Sequence, residues 1–567
     1  MTHCFPLTFG LRAARLLALV LTTAVARAQA PAWQLAVAAT GGTSEVLATA
    51  ADASGNVYLT GTFSGTVGFG GMTLTSAGRN NDVFVAKWDG ATGRFGWVQR
   101  AGGAGDDRPA AIAVSGTSIY LAGRFAGAAA FGGTILTAVG SDDGFVAKLT
   151  DAGASGAFGW ALGVGGRDSE QATAVAVAGS TVYVGGHFYS PTATFGSISL
   201  ANLSTVAPLR ADGFVAKLTD AGPSAGFAWV QQVGGTGDEF VMALAAAAGS
   251  VYATGNFSNT VGFGATTLTG GNLAAFVTKL TDTAAPNRFA WAVGTSSGAV
   301  VPNAVAVSGP NVYVAGRFVL TAGFGPTTLT STGSLGGYDV FVTKIAETGT
   351  TAGFGWAVQA GGAQSDYAAA VAASGASIYV AGGFAGLSSF GSASLTSVAG
   401  TPDVFVAKLT DAGPTGSFDW ATAAGGIGDD QARAVALSGR TLYVAGPVMP
   451  PASFGPLALA SPVGASVAFL ASLTDPTLTA TQTAFASGQL FLYPNPAHGR
   501  ATVQLPAVPG AATATLTVLD ALGRSLRVQT ASTNSRAELD LTGLAAGLYA
   551  VRVAAGGSSA TQKLVVE

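Results

Sequence analysis

The sequence predicts an all-β fold, and three features of the chain lead to this class. Short apolar runs of strand length recur and are bounded by glycine-containing turns, while no stretch shows a helical period. Glycine accounts for 82 of the 567 residues, which supplies the turns that many short strands need. Hydrophobic residues make up 49% of the chain and charged residues only 10%, a composition that fits a large folded core rather than a disordered chain.

Residues 1–28 have the features of a secretory signal peptide. Arg12 and Arg15 precede a short apolar run that is too short to cross a bilayer. Small-residue patterns at residues 26–28 and 28–30 offer two cleavage sites, and cleavage after position 28 is predicted because the second site would place Pro31 directly after the cut. The alternative to cleavage is an uncleaved membrane anchor. Cleavage would remove Cys4, the only cysteine, so the exported chain would contain no disulfide and no cysteine nucleophile.

The charge and residue content exclude several classes of function. The net charge is −3, and loss of the leader removes three arginines and no acid. An acidic surface argues against a nucleic-acid partner. The chain has three histidines, too few for an ordinary zinc site or a histidine-based triad. No apolar run of about 18 residues follows the leader, so we expect no membrane span in the mature chain.

Seven internal repeats occupy most of the chain. A tryptophan, a tyrosine and a Phe-Gly pair each recur seven times with a common period. The tryptophans are Trp33, Trp97, Trp160, Trp229, Trp291, Trp356 and Trp420. The tyrosines are Tyr58, Tyr120, Tyr183, Tyr252, Tyr313, Tyr379 and Tyr443.

Each repeat contains four strand-like runs, which together predict a seven-bladed β-propeller over residues 29–475. An open solenoid is the alternative, but its ends would need atypical capping repeats. A lone tryptophan run at residues 33–39 precedes the first repeat, and the seventh repeat ends at its third run, residues 469–473. These two runs are therefore predicted to pair and to close the ring without a free edge.

The repeats share a small apolar strand, a glycine turn, Val-Tyr-Val-x-Gly and Asp-x-Phe-Val-Ala-Lys-Leu, of which residues 403–409 are a clear example. In these motifs residues 31–475 resemble the bacterial secreted β-propeller repeat family. The resemblance implies the architecture but no single activity, because the family has none in common.

The composition changes after the repeats. Residues 476–490 are rich in Thr, Ala and Ser and are predicted to be a linker. Alternating apolar runs in residues 491–567 predict a small immunoglobulin-like β-sandwich. The motifs that stand out there are Tyr-Pro-Asn-Pro at 493–496, Leu-Asp at 519–520 with Leu-Gly-Arg at 522–524, the Gly547/Tyr549 strand and the Lys563 strand.

These motifs resemble the C-terminal sorting domain of type IX secretion cargo. The resemblance implies passage through the periplasm, handling by the type IX secretion machinery, and release or display at the outer cell surface. An ordinary immunoglobulin-like binding module is the alternative, because the fold alone does not separate the two.

Residues that recur at one position of the repeat are most simply structural. One lysine position in the third strand is expected to cover apolar surface with its stem while its charge stays in water. An aspartate before the same strand is expected to accept hydrogen bonds from turn amides. The lysines are Lys87, Lys148, Lys217, Lys279, Lys344 and Lys408, and the aspartates are Asp82, Asp143, Asp212, Asp339 and Asp403.

Acidic residues precede the first strand in six of the seven repeats and are expected at one rim of the central channel. Amide capping of the turns is one interpretation, calcium or another cation is the second, and a glycosidase carboxylate pair is the third. The metal-ligand candidates are Asp106, Asp168, Asp238, Asp366 and Asp429, with Glu45, Asp107, Glu170, Glu239 and Asp430 in the same loops.

A position that varies between repeats, directly after the glycine of the tyrosine strand, is a better candidate for selectivity. It holds Thr62, Arg124, His187, Asn256, Arg317, Gly383 and Pro447, on the same face as the acidic loops. The connection from His187 to Arg210 is the longest of its kind and adds Tyr189. The predicted ligand-binding residues are Arg124, His187, Tyr189, Arg210, Asn256 and Arg317, a set that suits a hydroxylated or anionic ligand such as a glycan. Solvated rim residues with no ligand are the alternative.

The sequence therefore favours a binding or scaffold module that acts at or beyond the cell surface, with a glycan or a surface protein as its partner. No residue is singled out as catalytic. A secreted carbohydrate-active enzyme that uses channel carboxylates is one alternative, and a purely structural envelope component is another.

Overall fold

The computed structural model describes residues 29–205, 208–247, 249–282, 288–333, 336–460, 464–478, 483–484, 491–506, 513–520, 524–555 and 558–567. The fold of these residues is all-β, as predicted, and their strands lie in mostly antiparallel sheets. The predicted leader and most of the predicted linker, residues 479–482 and 485–490, lie outside the described residues. None of the described residues form a helix with the length and apolar character needed to cross a membrane.

The described residues between 33 and 474 form seven antiparallel units of four strands with one common order: inner, tyrosine, lysine and tryptophan strand. The inner strands are Thr40–Ala51, Arg108–Ser115, Glu170–Ala178, Glu239–Ala247, Ala299–Ser308, Tyr367–Ser374 and Ala434–Ser438. The tyrosine strands are Val57–Phe69, Ser118–Phe125, Thr181–Phe188, Ser250–Phe257, Asn311–Val319, Ser377–Phe384 and Thr441–Val448. The units are numbered below in the order of these strands.

The two outer strands of each unit complete the pattern. The lysine strands are Asp82–Asp89, Asp143–Asp151, Asp212–Asp220, Ala274–Thr281, Asp339–Glu347, Asp403–Asp411 and Val467–Thr474. The tryptophan strands are, for units one to six, Arg94–Gly103, Gly156–Val164, Ala225–Gly235, Phe289–Gly294, Ala352–Gly362 and Gly416–Gly426. The seventh unit takes its tryptophan strand, Trp33–Ala38, from the start of the chain.

The pairing of Trp33–Ala38 with Val467–Thr474 is the one that the sequence predicted. Ala36 lies opposite Ala471 and Ala38 opposite Phe469 in an antiparallel ladder. The edge of the last lysine strand is therefore covered, which removes a free row of backbone donors and acceptors.

A short hairpin between the tyrosine and lysine strands carries the Phe-Gly pair. Phe131 packs against Phe145 and Phe158, with ring centroids 4.7 and 5.9 Å apart. Gly132 follows with a φ of 60° and lies so close to Phe158 that a β-carbon would clash, so the turn requires glycine. The hairpin strands are Met72–Thr75, Ala128–Phe131, Thr134–Thr137, Thr192–Phe195, Ile198–Ala201, Thr260–Phe263, Thr266–Thr269, Thr321–Phe324, Thr327–Thr330, Leu387–Phe390, Ala393–Thr396, Ala452–Phe454 and Leu457–Leu459.

The inner strands lie side by side around a common axis. Each inner strand contacts those of the units before and after it, and the seventh inner strand contacts the first. Together they line a central cavity of about 220 Å³, and small side chains such as Ala48, Ala111 and Ala370 face it. Bulky residues lie between neighbouring sheets instead, where Trp97 shares a core with Leu121 and Phe145 of the next unit.

The described part of the tail forms two sheets around a separate core. One sheet contains Thr483–Ala484, Ser558–Val566, Gly547–Ala555, Thr513–Leu519 and Ser525–Ser532 in that order, and the other contains Phe491–Tyr493, Arg500–Gln504 and Arg536–Asp540. Residues from both sheets, such as Val503, Leu539, Leu516 and Val553, pack in one buried cluster.

Candidate functional site

The six repeated lysines form ion pairs with acids. Lys87, Lys148 and Lys408 are buried, so the prediction that the charge stays in water is wrong for these three, whereas the other three are half-buried. The Nζ of Lys87 lies 2.6 Å from Oδ2 of Asp151, with side-chain exposures of 6% and 7%. Tyr58 donates its hydroxyl to the same oxygen at 2.7 Å, and Trp97 Nε1 donates to Oδ1 at 2.9 Å. Burial opposes ionisation, but these hydrogen bonds hold the pKa of Asp151 below its ordinary value.

We call this arrangement the clasp: the lysine of one unit and the acid that ends, or directly follows, the lysine strand of the next. The six ion pairs are Lys87–Asp151, Lys148–Asp220, Lys217–Asp282, Lys279–Glu347, Lys344–Asp411 and Lys408–Asp475. The seventh unit has Ser472 at the lysine position, and its contact with the first unit is an apolar cluster that includes Trp88 and Tyr443. The sequence feature that indicates the clasp is a Thr-Asp pair that recurs at the end of the lysine strand, from which no ion pair was predicted.

The aspartates that begin the lysine strands accept turn amides, as predicted. The backbone N–H of Ala77 donates to Asp82 at 2.8 Å, and that of Val398 donates to Asp403 at 2.7 Å. Asp143, Asp212 and Asp339 accept equivalent bonds. These hydrogen bonds fix the loop that returns from the hairpin.

A second set of acids is fully buried at the start of five inner strands: Asp107, Glu170, Glu239, Asp366 and Asp430. Asp366 accepts from Gly362 N at 2.7 Å and Ser388 Oγ at 2.8 Å, which matches the amide-capping interpretation. A β-carbon on Gly361 would lie 2.6 Å from Asp339 and 3.0 Å from Asp366, so two carboxyl groups meet at one glycine. Burial raises the pKa of Asp366 to about 6 and that of Glu239 to about 8.

The predicted cation ligands do not form a common ring. Asp106 and Asp238 are ion-paired with arginines, whereas Asp168 and Asp429 are exposed. Asp366 is buried, because it occupies the position of Asp107 rather than that of Asp106. No group of three or more acidic, histidine or cysteine residues that could hold a metal occurs in the described parts of the chain.

Two of the predicted ligand-binding arginines are neutralised. Arg124 lies 2.9 Å from Asp106 and 3.2 Å from Asp142. Arg210 lies 3.1 Å from Asp238 and remains more than half exposed. Both stay near the rim, but each already has a carboxylate partner.

His187 and Asn256 lie inside the protein, which corrects the expectation that they line a surface. The next unit covers each of them: Phe240 packs 4.8 Å from the His187 ring, and Asn256 donates to the Val300 carbonyl. Burial lowers the pKa of His187 to about 4, so the imidazole is neutral near pH 7. Tyr189 stays beside His187, with ring centroids 5.9 Å apart.

Arg317 differs from the other five predicted ligand-binding residues. Its guanidinium lies over the Tyr338 ring at 5.1 Å, and the described residues offer it no ion pair or side-chain hydrogen bond. Arg433, on the next unit but one, also lacks a side-chain partner among the described residues. Tyr367 belongs to the sixth unit, between the units of these two arginines. Burial raises the pKa of Tyr367, and the positive charges of both arginines offset part of that rise.

We call Arg317, Tyr338, Tyr367, Gln431 and Arg433 the rim cluster. Four of its polar atoms are buried without a hydrogen-bond partner among the described residues: Arg317 Nε, Arg433 Nε, Tyr367 Oη and Gln431 Oε1. Sequence reasoning selected Arg317 and missed the rest. The available signal was Arg433, a charged residue in a register where the other repeats place Leu47, Ala110, Thr173, Met242, Asn303 and Ala369.

Comparison with known proteins identifies the tail. Residues 491–567 match the model of the secretion system C-terminal sorting domain, which supports type IX sorting and export to the cell surface or the medium. Comparison with curated protein sequences gave no match. Among solved structures, a mutant of Trypanosoma rangeli sialidase displaying trans-sialidase activity aligns over 80% of this chain and 82% of its own, at 10% identity and a TM-score of 0.29. A TM-score this low does not establish a shared fold.

Proposed function

We propose that this protein is a secreted or surface-displayed binding module, built as a seven-bladed β-propeller and exported by type IX secretion. The observation that carries the export is the match of residues 491–567 to the sorting-domain model. In this proposal the tail is an immunoglobulin-like sandwich that acts as an address, and residues 1–28 direct the chain to the periplasm.

The propeller is supported by the way the units meet. The inner strands contact one another in cyclic order, and the Ala468 N–H of the seventh unit donates to Ser44 Oγ of the first at 3.0 Å. An open array of repeats would leave its first and last members apart. The shared strand between the two ends of the chain fits a closed ring.

Binding is favoured over catalysis by the state of the rim acids. Asp106 and Asp238 face arginines, and Asp107 and Asp366 accept backbone amides inside the protein. Acids engaged in this way are poorly placed for the two free carboxylates that glycoside hydrolysis needs. The unpaired guanidinium groups of the rim cluster suit recognition of a ligand instead.

The export proposal is tested by deletion of residues 491–567 in a host that has the type IX machinery. The truncated chain should accumulate in the periplasm, whereas the full chain reaches the cell surface or the medium. Cell fractions and culture medium are compared by immunoblotting against the repeat region.

A matched pair of fusions controls for misfolding of the truncated chain. A periplasmic reporter fused to residues 491–567 should leave the cell, and the same reporter fused to residues 29–475 should not. Normal yield of the truncated protein outside the cell would show that the tail is not the address.

A further inference from the structure

Arg124 and Arg317 occupy the same position in the second and fifth units, but their surroundings differ. Arg124 is opposite Arg108 on its inner strand, and Arg317 is opposite Val301 on its own. In the second unit, Asp106 and Asp142 neutralise Arg124.

The fifth unit has Ala299 and Tyr338 where the second has those two acids. The fifth unit therefore keeps the arginine but lacks both of the acids that pair with it in the second unit. Tyr338 offers Arg317 the face of a ring, which attracts a cation but does not neutralise it.

A second unpaired cation lies close by. Arg433 lines the central cavity. The other six inner strands all carry an uncharged residue at this position. The N–H of Ala432, next to Arg433, donates to the Gly382 carbonyl at 3.3 Å, which places Arg433 beside the strand that pairs with Tyr367. Both arginines lower the pKa of Tyr367 and the exposed Asp429 raises it, although burial is the largest cause and raises it overall. The neighbourhood of Tyr367 therefore contains two guanidinium groups and one solvent-exposed carboxylate.

Room for Tyr367 is built into the neighbouring strand. Gly383 is its cross-strand partner and holds the register of Arg124 and Arg317 in the sixth unit. A β-carbon at Gly383 would lie 2.9 Å from the Tyr367 ring, so any other residue there would displace the ring. Glycine at this position lets the phenol lie between the arginines of the fifth and seventh units.

The cluster is costly to the folded protein when nothing is bound. Arg317 Nε, Arg433 Nε and Tyr367 Oη are withdrawn from water without a partner among the described residues, so they lose hydrogen bonds that folding does not return. In a planar or tetrahedral oxyanion, the oxygens accept from two guanidinium groups and one hydroxyl at once, with geometry that arginine matches well.

We propose that Arg317, Arg433 and Tyr367 bind an oxyanion, a carboxylate, sulfate or phosphate group, at the mouth of the central cavity. Arg317 and Arg433 provide the charge, and Tyr367 donates a hydrogen bond. The proposal rests on the binding role proposed above and gives its ligand a chemical class. The described acids that satisfy Arg124 make the second unit unable to bind in the same way.

The test uses the secreted protein and three probes: glucuronate, inorganic sulfate and inorganic phosphate, each against chloride at equal ionic strength. Binding is measured by calorimetry and by the rise in melting temperature that a ligand of the native state produces. At least one probe should bind, and Arg317→Gln or Arg433→Gln should weaken it by tenfold or more, about 1.4 kcal/mol.

Two further variants make the test specific. Arg124→Gln is the matched control, because it removes an arginine in the same register that already has two carboxylates, and it should leave binding unchanged. The double variant Ala299→Asp with Tyr338→Asp reproduces those carboxylates around Arg317 and should abolish binding while the arginine remains. Each variant is checked for an unchanged circular dichroism spectrum.

The possible outcomes identify the class of ligand and also distinguish failure of the oxyanion site from failure of the proposed export. Binding of glucuronate alone assigns the anion to a sugar carboxylate, and binding of sulfate or phosphate alone assigns it to a sulfated or phosphorylated group. Failure of all three probes, or equal loss in Arg124→Gln and Arg317→Gln, overturns the oxyanion site. The export test does not depend on these residues, so secretion by the tail would stand after that failure.

Discussion

Lys87 and Asp151 belong to different units of the sheet array, yet their Nζ and Oδ2 atoms are 2.6 Å apart and nearly sealed from water. Asp151 is also the acceptor for Tyr58 and Trp97, two of the residues that define the repeat. One carboxylate thus contacts three residues of the preceding unit that recur along the chain: its tyrosine, its lysine and its tryptophan. The repeat pattern that is visible along the chain is therefore a pattern of contacts between units.

Removal of one clasp acid should destabilise the repeat region strongly. In Asp411→Asn, Lys344 would keep a buried charge with no carboxylate, since Tyr313 and Trp356 donate to Asp411 and cannot replace it. Breaking a buried ion pair in this way costs about 3 kcal/mol or more. We expect a lower midpoint of unfolding in guanidinium chloride, measured by tryptophan fluorescence.

Asp89→Asn is the control for this variant. Asp89 caps a turn through the Ala91 and Thr92 amides and forms no ion pair among the described residues. Its loss should shift the midpoint far less. Equal shifts in the two variants would mean that the clasp contributes no more than an ordinary turn cap.

Deletion of Trp33–Ala38 should weaken the seventh unit. The deletion leaves the edge of Val467–Thr474 unpaired and removes Trp33 from its contact with Phe454, where the ring centroids are 5.1 Å apart. The exposed edge should lower the melting temperature and promote association between chains, measured by differential scanning calorimetry and light scattering. Gln34→Ala is the control, because it removes only an exposed hydrogen bond from Thr474. A deletion variant that melts like the control would contradict closure by this strand.

Stability should fall as the pH rises from about 4 to about 8. Burial raises the pKa of Glu170 to about 7 and of Glu239 to about 8, and those of Asp107 and Asp430 to about 6. The folded state therefore binds more protons than the unfolded state across this window, and stability declines with pH until each folded pKa is passed. His187 acts in the opposite sense, because its pKa is lowered to about 4 and its contribution is lost as the pH falls below about 6.5.

The acids outnumber the single histidine, so the melting temperature should be higher near pH 5 than near pH 8. Glu239→Gln tests the largest contribution, since the amide cannot ionise and should reduce the decline between these two pH values. The clasp acids add a separate loss at lower pH, because hydrogen bonds from Tyr379, Thr477 and Lys408 outweigh burial and lower the pKa of Asp475 to about 2. A melting temperature that rises from pH 5 to pH 8 would contradict the buried-acid assignment.

The strands and their order were predictable because they depend on local signals. Alternation, glycine turns and the Phe-Gly pair fix where each strand begins and ends, and a sevenfold period multiplies each weak signal. The spare tryptophan run at the start of the chain predicted the pairing of Trp33–Ala38 with the last lysine strand. The turn role of Asp82 and Asp403 followed in the same way, since their partners lie a few residues away.

The state of the charged residues followed from contacts between units that no local pattern records. Lys87 has its partner 64 residues further along the chain, and His187 and Asn256 are covered by the next unit's Phe240 and Val300. Hydrophobic periodicity specifies which side of a strand faces inward, but it does not specify which neighbour covers a polar side chain. Arg124 and Arg317 share one register and one residue type, and the sequence shows Ala299 and Tyr338 where the second unit has Asp106 and Asp142. Only the tertiary structure shows that these two acids reach Arg124, while Arg317 is left without an ion pair among the described residues.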